Sequence, residues 1–491
     1  MDNHTNKINQ SIGLKSRSVK HPRPQEAISI FDIFKIGVGP SSSHTLGPWK
    51  AARGFMSELE LKTVDHIQVH LYGSLSKTGK GHATDKAIIM GLLGHDPEAV
   101  DASAINGCIE AVIEQKTIDC EKKCIQFNPR ADIIFEKSEH DLHPNTMRFR
   151  AFNKGEEVKE EFILSVGGGF IEKAQGAETD KPKRSIPYPV NTGAELLDHT
   201  NRLDCSISDL SLKNELSWRS LEQIESDVQK LYSVNKDAIY RGCTMSGVLP
   251  GGLKVARRAK MISSQLLGTD EVLEKEVWYA KVQQAARSYD DINKWVSCFA
   301  LAVNEENAAM SRVVTSPTNG AAGVIPAVLH FHLLFQTNTK ESDILRFFLV
   351  AGEIGCLFKK GATISAAVGG CQAEIGVSSA MAAAGLCEVL GGSPAQVLMA
   401  AEIAMEHHLG LTCDPIGGLV QIPCIERNAM GAAKAITAAN LALMSDVADA
   451  KVHIDDVIST MWSTAQDMHH KYKETSEGGL AFHLPVVQPN C

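Results

Sequence analysis

Residues 178–191, Glu-Thr-Asp-Lys-Pro-Lys-Arg-Ser-Ile-Pro-Tyr-Pro-Val-Asn (ETDKPKRSIPYPVN), separate two stretches of chain with different hydrophobic periods. Proline and clustered charge interrupt both helix and sheet ladders, so this segment reads as a linker. On its N-terminal side Ile67, Val69 and Leu71 alternate with polar residues, the mark of a half-buried strand. Residues 131–136, 147–152 and 162–166 read as further short strands, and helices are expected over 48–60 and 85–94. Residues 28–190 are therefore expected to form an α+β domain. Beyond the linker strand signals fade. Ala-, Leu- and Met-containing helical stretches punctuated by glycine and proline take over, which predicts a mostly α-helical domain over 191–491. Residues 1–27 are polar and include His21-Pro22-Arg23-Pro24, the composition of a disordered tail.

The 491 residues exceed what one ordinary core accommodates, in keeping with two domains. A net charge of −9 without a basic stripe argues against a nucleic-acid partner. The N-terminus has no apolar signal core. The longest apolar region, about 344–390, is broken by Glu353, Lys359, Lys360 and Glu374, so it reads as buried helices and not as a membrane span. Twelve cysteines are too sparse for a disulfide scaffold in a chain of this length. Reduced thiols in a cytoplasm are expected, which leaves metal or cluster ligation open.

Three of those cysteines sit in glycine- or proline-rich turns: Gly369-Gly370-Cys371-Gln372, Leu411-Thr412-Cys413-Asp414-Pro415-Ile416-Gly417-Gly418 and Ile422-Pro423-Cys424-Ile425-Glu426-Arg427-Asn428. Such turns let backbone N–H groups approach a sulfur or an anion. Three thiolates can hold a four-iron cluster and leave one iron open as a Lewis acid. The separations do not match compact ferredoxin patterns, and three core cysteines would show the same spacing. Cys491 is the last residue, where a free thiol is the ordinary reading, and Cys243 has no neighbouring base to activate it.

Four loops carry hydroxyl or imidazole groups. In Gly39-Pro40-Ser41-Ser42-Ser43-His44-Thr45, before a helix opened by Pro48, Ser41, Ser43, His44 and Thr45 suit a carboxylate, or simply an N-cap cluster. In Gly81-His82-Ala83-Thr84-Asp85, His82 suits a general base at a loop tip, or a solvent-exposed histidine. Ser316, Thr318 and Asn319 in Ser316-Pro317-Thr318-Asn319-Gly320 suit a small polar substrate, or a capped turn. The loop 471–481 is uninformative alone.

Taken together, GPSSSHT at 39–45, GHATD at 81–85, SPTNGAAG at 316–323, GGCQAE at 369–374 and CDPIGGLVQIPCIERN at 413–428 resemble the bacterial iron–sulfur L-serine dehydratases (L-serine ammonia-lyases) in their single-chain form. The resemblance runs from Ile28 to Ala481. It implies a [4Fe-4S] cluster on Cys371, Cys413 and Cys424. It also implies an N-terminal domain similar to the allosteric substrate-binding domain of some phosphoglycerate dehydrogenases, and a homodimer. In that family the C-terminal cysteine can occupy the open iron, and Cys491 matches that position. The reaction so implied takes L-serine to pyruvate and ammonia; for it the residues offer His82 as base for the Cα proton and Ser41, Ser43, His44, Thr45, Ser316, Thr318 and Asn319 as candidates to bind the substrate between the domains. The rival readings are a pyridoxal-phosphate dehydratase using Lys254, Lys359 or Lys434, and a non-catalytic sensor of serine or iron.

Overall fold

The computed structural model describes residues 27–120, 123–174, 185–286 and 288–484. Cys491, most of the expected tail and the first part of the linker lie outside the described residues. Nine strands are found among them: β1 (Ile36–Val38), β2 (His66–Leu71), β3 (Thr117–Cys120), β4 (Lys123–Gln126), β5 (Ile133–Phe135), β6 (Thr146–Asn153), β7 (Glu156–Ser165), β8 (Ile171–Lys173) and β9 (Arg312–Val314). Seven form one mixed sheet in the order β3-β4-β2-β6-β7-β8, with β5 also on β2. β4 and β5 pair in parallel with β2 at successive positions, while β6 runs antiparallel on its other side.

The strand expected over 131–136 is shorter than its pattern suggests. Asn128 caps a helical turn, Pro129–Asp132, and its side chain accepts from Arg130 N; only Ile133–Phe135 remain extended. The strand expected over 162–166 instead starts at Glu156. Its outer half is charged, and it is held to β6 by the two-residue turn Lys154-Gly155, with φ of 51° and 88°. The helices Gly47–Ser57 and Thr84–Leu92 arise where expected and pack on each other, sharing a core with Ile67, Val69, Leu71 and Phe149.

After the linker the chain is helical almost throughout. At the centre lies Ile375–Val389, buried from Ile375 to Glu388 and packed on Val324–Phe335, Ser342–Gly361, Pro394–Glu406 and Cys424–Met444. Its alanines, serines and glycines present small surfaces on every side, so neighbours approach all around it. The apolar 344–390 region is thus core, and no helix of the described residues is long and apolar enough to cross a membrane.

The two halves are stitched by the first described residues. Ile28, Ile33, Phe34 and Ile36 pack into the helical core, not under the sheet. Glu215 accepts from Ser29 Oγ (2.8 Å) and Ile30 N (2.9 Å). β1 pairs antiparallel with β9, from the helical half, Ile36 opposite Val314 and Val38 opposite Arg312.

Helix Leu221–Thr244 crosses helix Tyr289–Ala308 at Gly242, where an added Cβ would lie 2.4 Å from the Ala302 carbonyl oxygen. Gly242→Ala is expected to lower stability by about 1–3 kcal/mol through overpacking. Thermal or denaturant unfolding of the two proteins checks it.

Candidate active site at the domain junction

His82 is placed by a turn, not by an open loop. Gly73–Thr78 is helical, and the chain returns through residues 79–83 to start Thr84–Leu92, with Ala83 left-handed at φ 56°. His82 N donates to Thr78 O and Gly79 O, both at 3.1 Å, and the side chain is 1% exposed, which removes the solvent-exposed alternative. Its Nδ1 lies 2.9 Å from Thr78 O. A carbonyl only accepts, so Nδ1 carries a proton. Nε2 faces Glu474 Oε1 at 3.4 Å. Burial pushes the Glu474 carboxyl up, but the imidazoles of His44 and His82 beside it outweigh burial and hold it below the ordinary carboxylate range.

The serine run is wound into the turn Ser42–Leu46, capped by Ser41, whose Oγ accepts from His44 N at 3.1 Å. Ser74 Oγ donates to Glu474 O at 2.8 Å, so it can only accept from His44 Nε2, 3.0 Å away. His44 is then bare at Nδ1, which takes the Ser43 hydroxyl at 2.8 Å. Burial lowers the His44 imidazole to about 4, so it is neutral. Both His44 nitrogens are engaged within the protein. Thr45 is likewise saturated: it accepts from Ser41 N (3.1 Å) and donates to His82 O (2.7 Å), while Thr84 Oγ1 donates to His44 O (2.6 Å). Thr45 braces the two loops against each other. Ser41 is the member of the group that lines the cavity described below.

The 316–323 loop comes from the other half of the protein. Asn319 Nδ2 donates to Asn307 Oδ1 (3.0 Å), and Asn307 Nδ2 donates to Pro40 O (2.7 Å), so one asparagine ties the two loops together. Ser316 Oγ and Asn319 Oδ1 are buried without a hydrogen-bond partner among the described residues. The Thr318 hydroxyl lies beside Glu374.

Cys371, Cys413 and Cys424 are all buried. The sulfurs of Cys371 and Cys413 and a Glu374 carboxylate oxygen lie within 4.8 Å of one another, and Cys424, first residue of Cys424–Met444, lines the same small cavity as Cys413. Arg427, one turn along that helix, donates from Nη1 to Cys371 Sγ (3.2 Å) and to Thr412 O (2.7 Å), and from Nη2 to Asp414 Oδ1 (2.9 Å). The Cys413 thiol and, against the opposing effect of burial, the Arg427 guanidinium lower the Cys371 thiol to about 7. Burial, and then the Cys371 sulfur, hold the Glu374 carboxyl well above the usual range. Cys413 N donates to Tyr472 O (2.8 Å) and Glu474 N to Cys413 O (2.9 Å), so the thiol turn carries Glu474 with it.

One cavity collects these groups. Ser41 and His82 come from the α+β half; Glu374, Cys413, Cys424 and Glu474 come from the helical half. The halves touch through backbone at Gly81, where an added Cβ would lie 2.5 Å from Gly418 O. Sequence reasoning missed Glu474, Glu374, Asn307 and Arg427. Arg427 had a readable signal, a cation one helical turn after a candidate thiolate. Glu474 had none, because only the fold brings it to His82.

Such a site defines a class: a two-domain protein whose α+β half delivers an imidazole and hydroxyls to a thiol-lined cavity in its helical half. The same division appears by comparison. The family described as serine dehydratase beta chain matches residues 29–176, and that described as serine dehydratase alpha chain matches 202–481. The chain is 48% identical to L-serine dehydratase TdcG of Escherichia coli (strain K12), across 92% of this chain and 98% of that protein. It is 46% identical to an L-serine dehydratase of Streptomyces coelicolor (93% and 99%) and 41% identical to one of Helicobacter pylori (93% and 98%). The chain belongs to the serine dehydratase family, with alpha-chain and beta-chain regions in one polypeptide.

Thr45→Val leaves the buried Ser41 N–H and His82 carbonyl without their side-chain partner at nearly constant shape. A loss of about 1–3 kcal/mol is expected, read by denaturant unfolding.

Proposed function

We propose that this chain dehydrates and deaminates L-serine to pyruvate and ammonia, in a cytoplasm and as a homodimer. The observation that carries the reading is the meeting of an imidazole, His82, with the thiols of Cys413 and Cys424 on one cavity between the domains, Cys371 lying beside Cys413. The donor set fits a [4Fe-4S] cluster. Cys371, Cys413 and Cys424 are soft ligands sheltered from water, and Arg427 supplies positive charge against thiolates. Those three cysteines would hold the cluster, and its open iron would act as a Lewis acid on the β-hydroxyl, an effect worth about several kcal/mol.

The protein's own groups account for the rest. His82 Nε2 takes the Cα proton, and the proton arrives next to the Glu474 carboxylate. The electron pair left at Cα forms the Cα–Cβ double bond as hydroxide leaves Cβ. Aminoacrylate tautomerises to the imine, and water converts that to pyruvate and ammonium. Ser41 and Ser316 offer hydroxyl donors to the substrate carboxylate. Asn319 Oδ1, whose amide nitrogen is committed to Asn307, offers an acceptor to the ammonium. Thr318 sits beside them, while Ser43 fixes His44, His44 donates to the Ser74 hydroxyl that holds the Glu474 backbone, and Thr45 holds His82.

A pyridoxal-phosphate mechanism finds no support here, because none of Lys254, Lys359 and Lys434 lines the cavity. The test is pyruvate release from L-serine by anaerobically prepared protein, paired with iron and acid-labile sulfide assays. Turnover without sulfide would refute the cluster.

His82→Ala is expected to lower kcat by at least about 10²-fold while iron and sulfide stay at the wild-type level; full activity in this variant would overturn the role of His82. Cys371→Ala, Cys413→Ala and Cys424→Ala are each expected to lose iron and activity together. An active variant without iron at any of the three positions excludes that ligand.

A further inference from the structure

The geometry points to Val420 as the side chain that sets which β-hydroxy amino acids enter the site. This rests on the functional reading above and names the substrate limit of the same cavity. The cavity wall is polar or glycine at Ser41, His82, Gly320, Glu374 and Glu474, with thiols at Cys413 and Cys424. Apart from Pro415, Val420 is its one hydrocarbon side chain among the described residues.

Val420 also lines a second concavity on the outer side, with Lys80, Gly81, Pro250 and Leu419. No other described residue lines both. Two neighbouring pairs straddle the same wall: Pro40 lies outside and Ser41 inside, Gly81 outside and His82 inside. The two concavities therefore share one wall, and Val420 stands at the partition.

The partition is held firmly. Gln421 Nε2 donates to Pro250 O (2.6 Å), Gln421 N to Leu419 O (2.7 Å), and Ile425 N to Gln421 O (2.9 Å). Val420 is 7% exposed and β-branched, with few rotamers through which to yield. It lies on the short segment between Cys413 and Cys424, so it cannot move away without disturbing the thiol turn. On this assignment a substrate carrying hydrogen at Cβ beside the leaving hydroxyl passes the wall, and one carrying an additional methyl there, as L-threonine does, is obstructed by the valine.

The experiment compares anaerobically prepared wild type, Val420→Ala and Val420→Ile. It measures kcat/KM for L-serine and L-threonine by 2-oxo-acid release, with iron and sulfide determined on each preparation. Val420→Ala is expected to raise the threonine-to-serine ratio about tenfold or more, the usual effect of one methyl group in an apolar wall, and Val420→Ile to lower it. Unchanged ratios in both variants would overturn the assignment. Where Val420→Ala lowers the iron content, the ratio in Val420→Ile decides. Wild-type protein that holds iron and sulfide yet releases no pyruvate would overturn the functional reading itself, whereas an active wild type with unmoved ratios removes only the role of Val420.

Discussion

Everything at the site depends on a short antiparallel ladder, β1 on β9, that joins the two halves of the chain. Neither half contains the cavity. The α+β half brings Ser41 and His82; the helical half brings the thiols and the acids. The ladder fixes Ile36 against Val314, and the segment before it is anchored in the helical core through Ser29, Ile30 and Glu215. Asn307 then spans from Pro40 to Asn319, and Gly81 presses backbone to backbone on Gly418. This stitching fixes the groups of the two halves against each other, the kind of positioning on which reaction rates depend steeply.

Charge at the site is arranged in two buried centres that share a backbone connection. In one, Arg427 sits among Cys371, Thr412 and Asp414 and offsets negative charge on sulfur. In the other, Glu474 sits between two imidazoles, of which His44 is kept neutral by burial and fixed by Ser43 and Ser74. The hydrogen bond from Glu474 N to Cys413 O joins the two centres, so displacement of the thiol turn displaces the acid that faces His82.

Much of this was readable in the sequence, because the informative signals are local. Alternation at Ile67, Val69 and Leu71 gave the central strand, and the signals around Pro48 and Thr84 gave two helices of the first half but not Ile105–Gln115. The loops bearing Ser41, His82 and Ser316 and the three cysteine turns stood out by composition. What was hidden is non-local. β7 was obscured by charge on its outer half, and the helical turn at Pro129 cut short a strand that the pattern extended. β1 and β9, three residues each, pair only because the domains meet. Glu474 lies in a loop with no distinguishing pattern, and its relation to His82 spans nearly the whole chain. Thr45 and His44 make hydrogen bonds within the protein, a use of hydroxyl and imidazole groups that composition alone does not separate from substrate binding.

The central claim is that a sulfur-held iron centre with one open position meets the substrate in front of His82. Mössbauer spectroscopy of anaerobic, iron-57-loaded protein with and without L-serine tests it most directly. The expected result is a single iron subsite whose signal changes when L-serine is added while the remaining subsites keep theirs. Iron signals identical with and without L-serine, in protein that is turning the amino acid over, would contradict it.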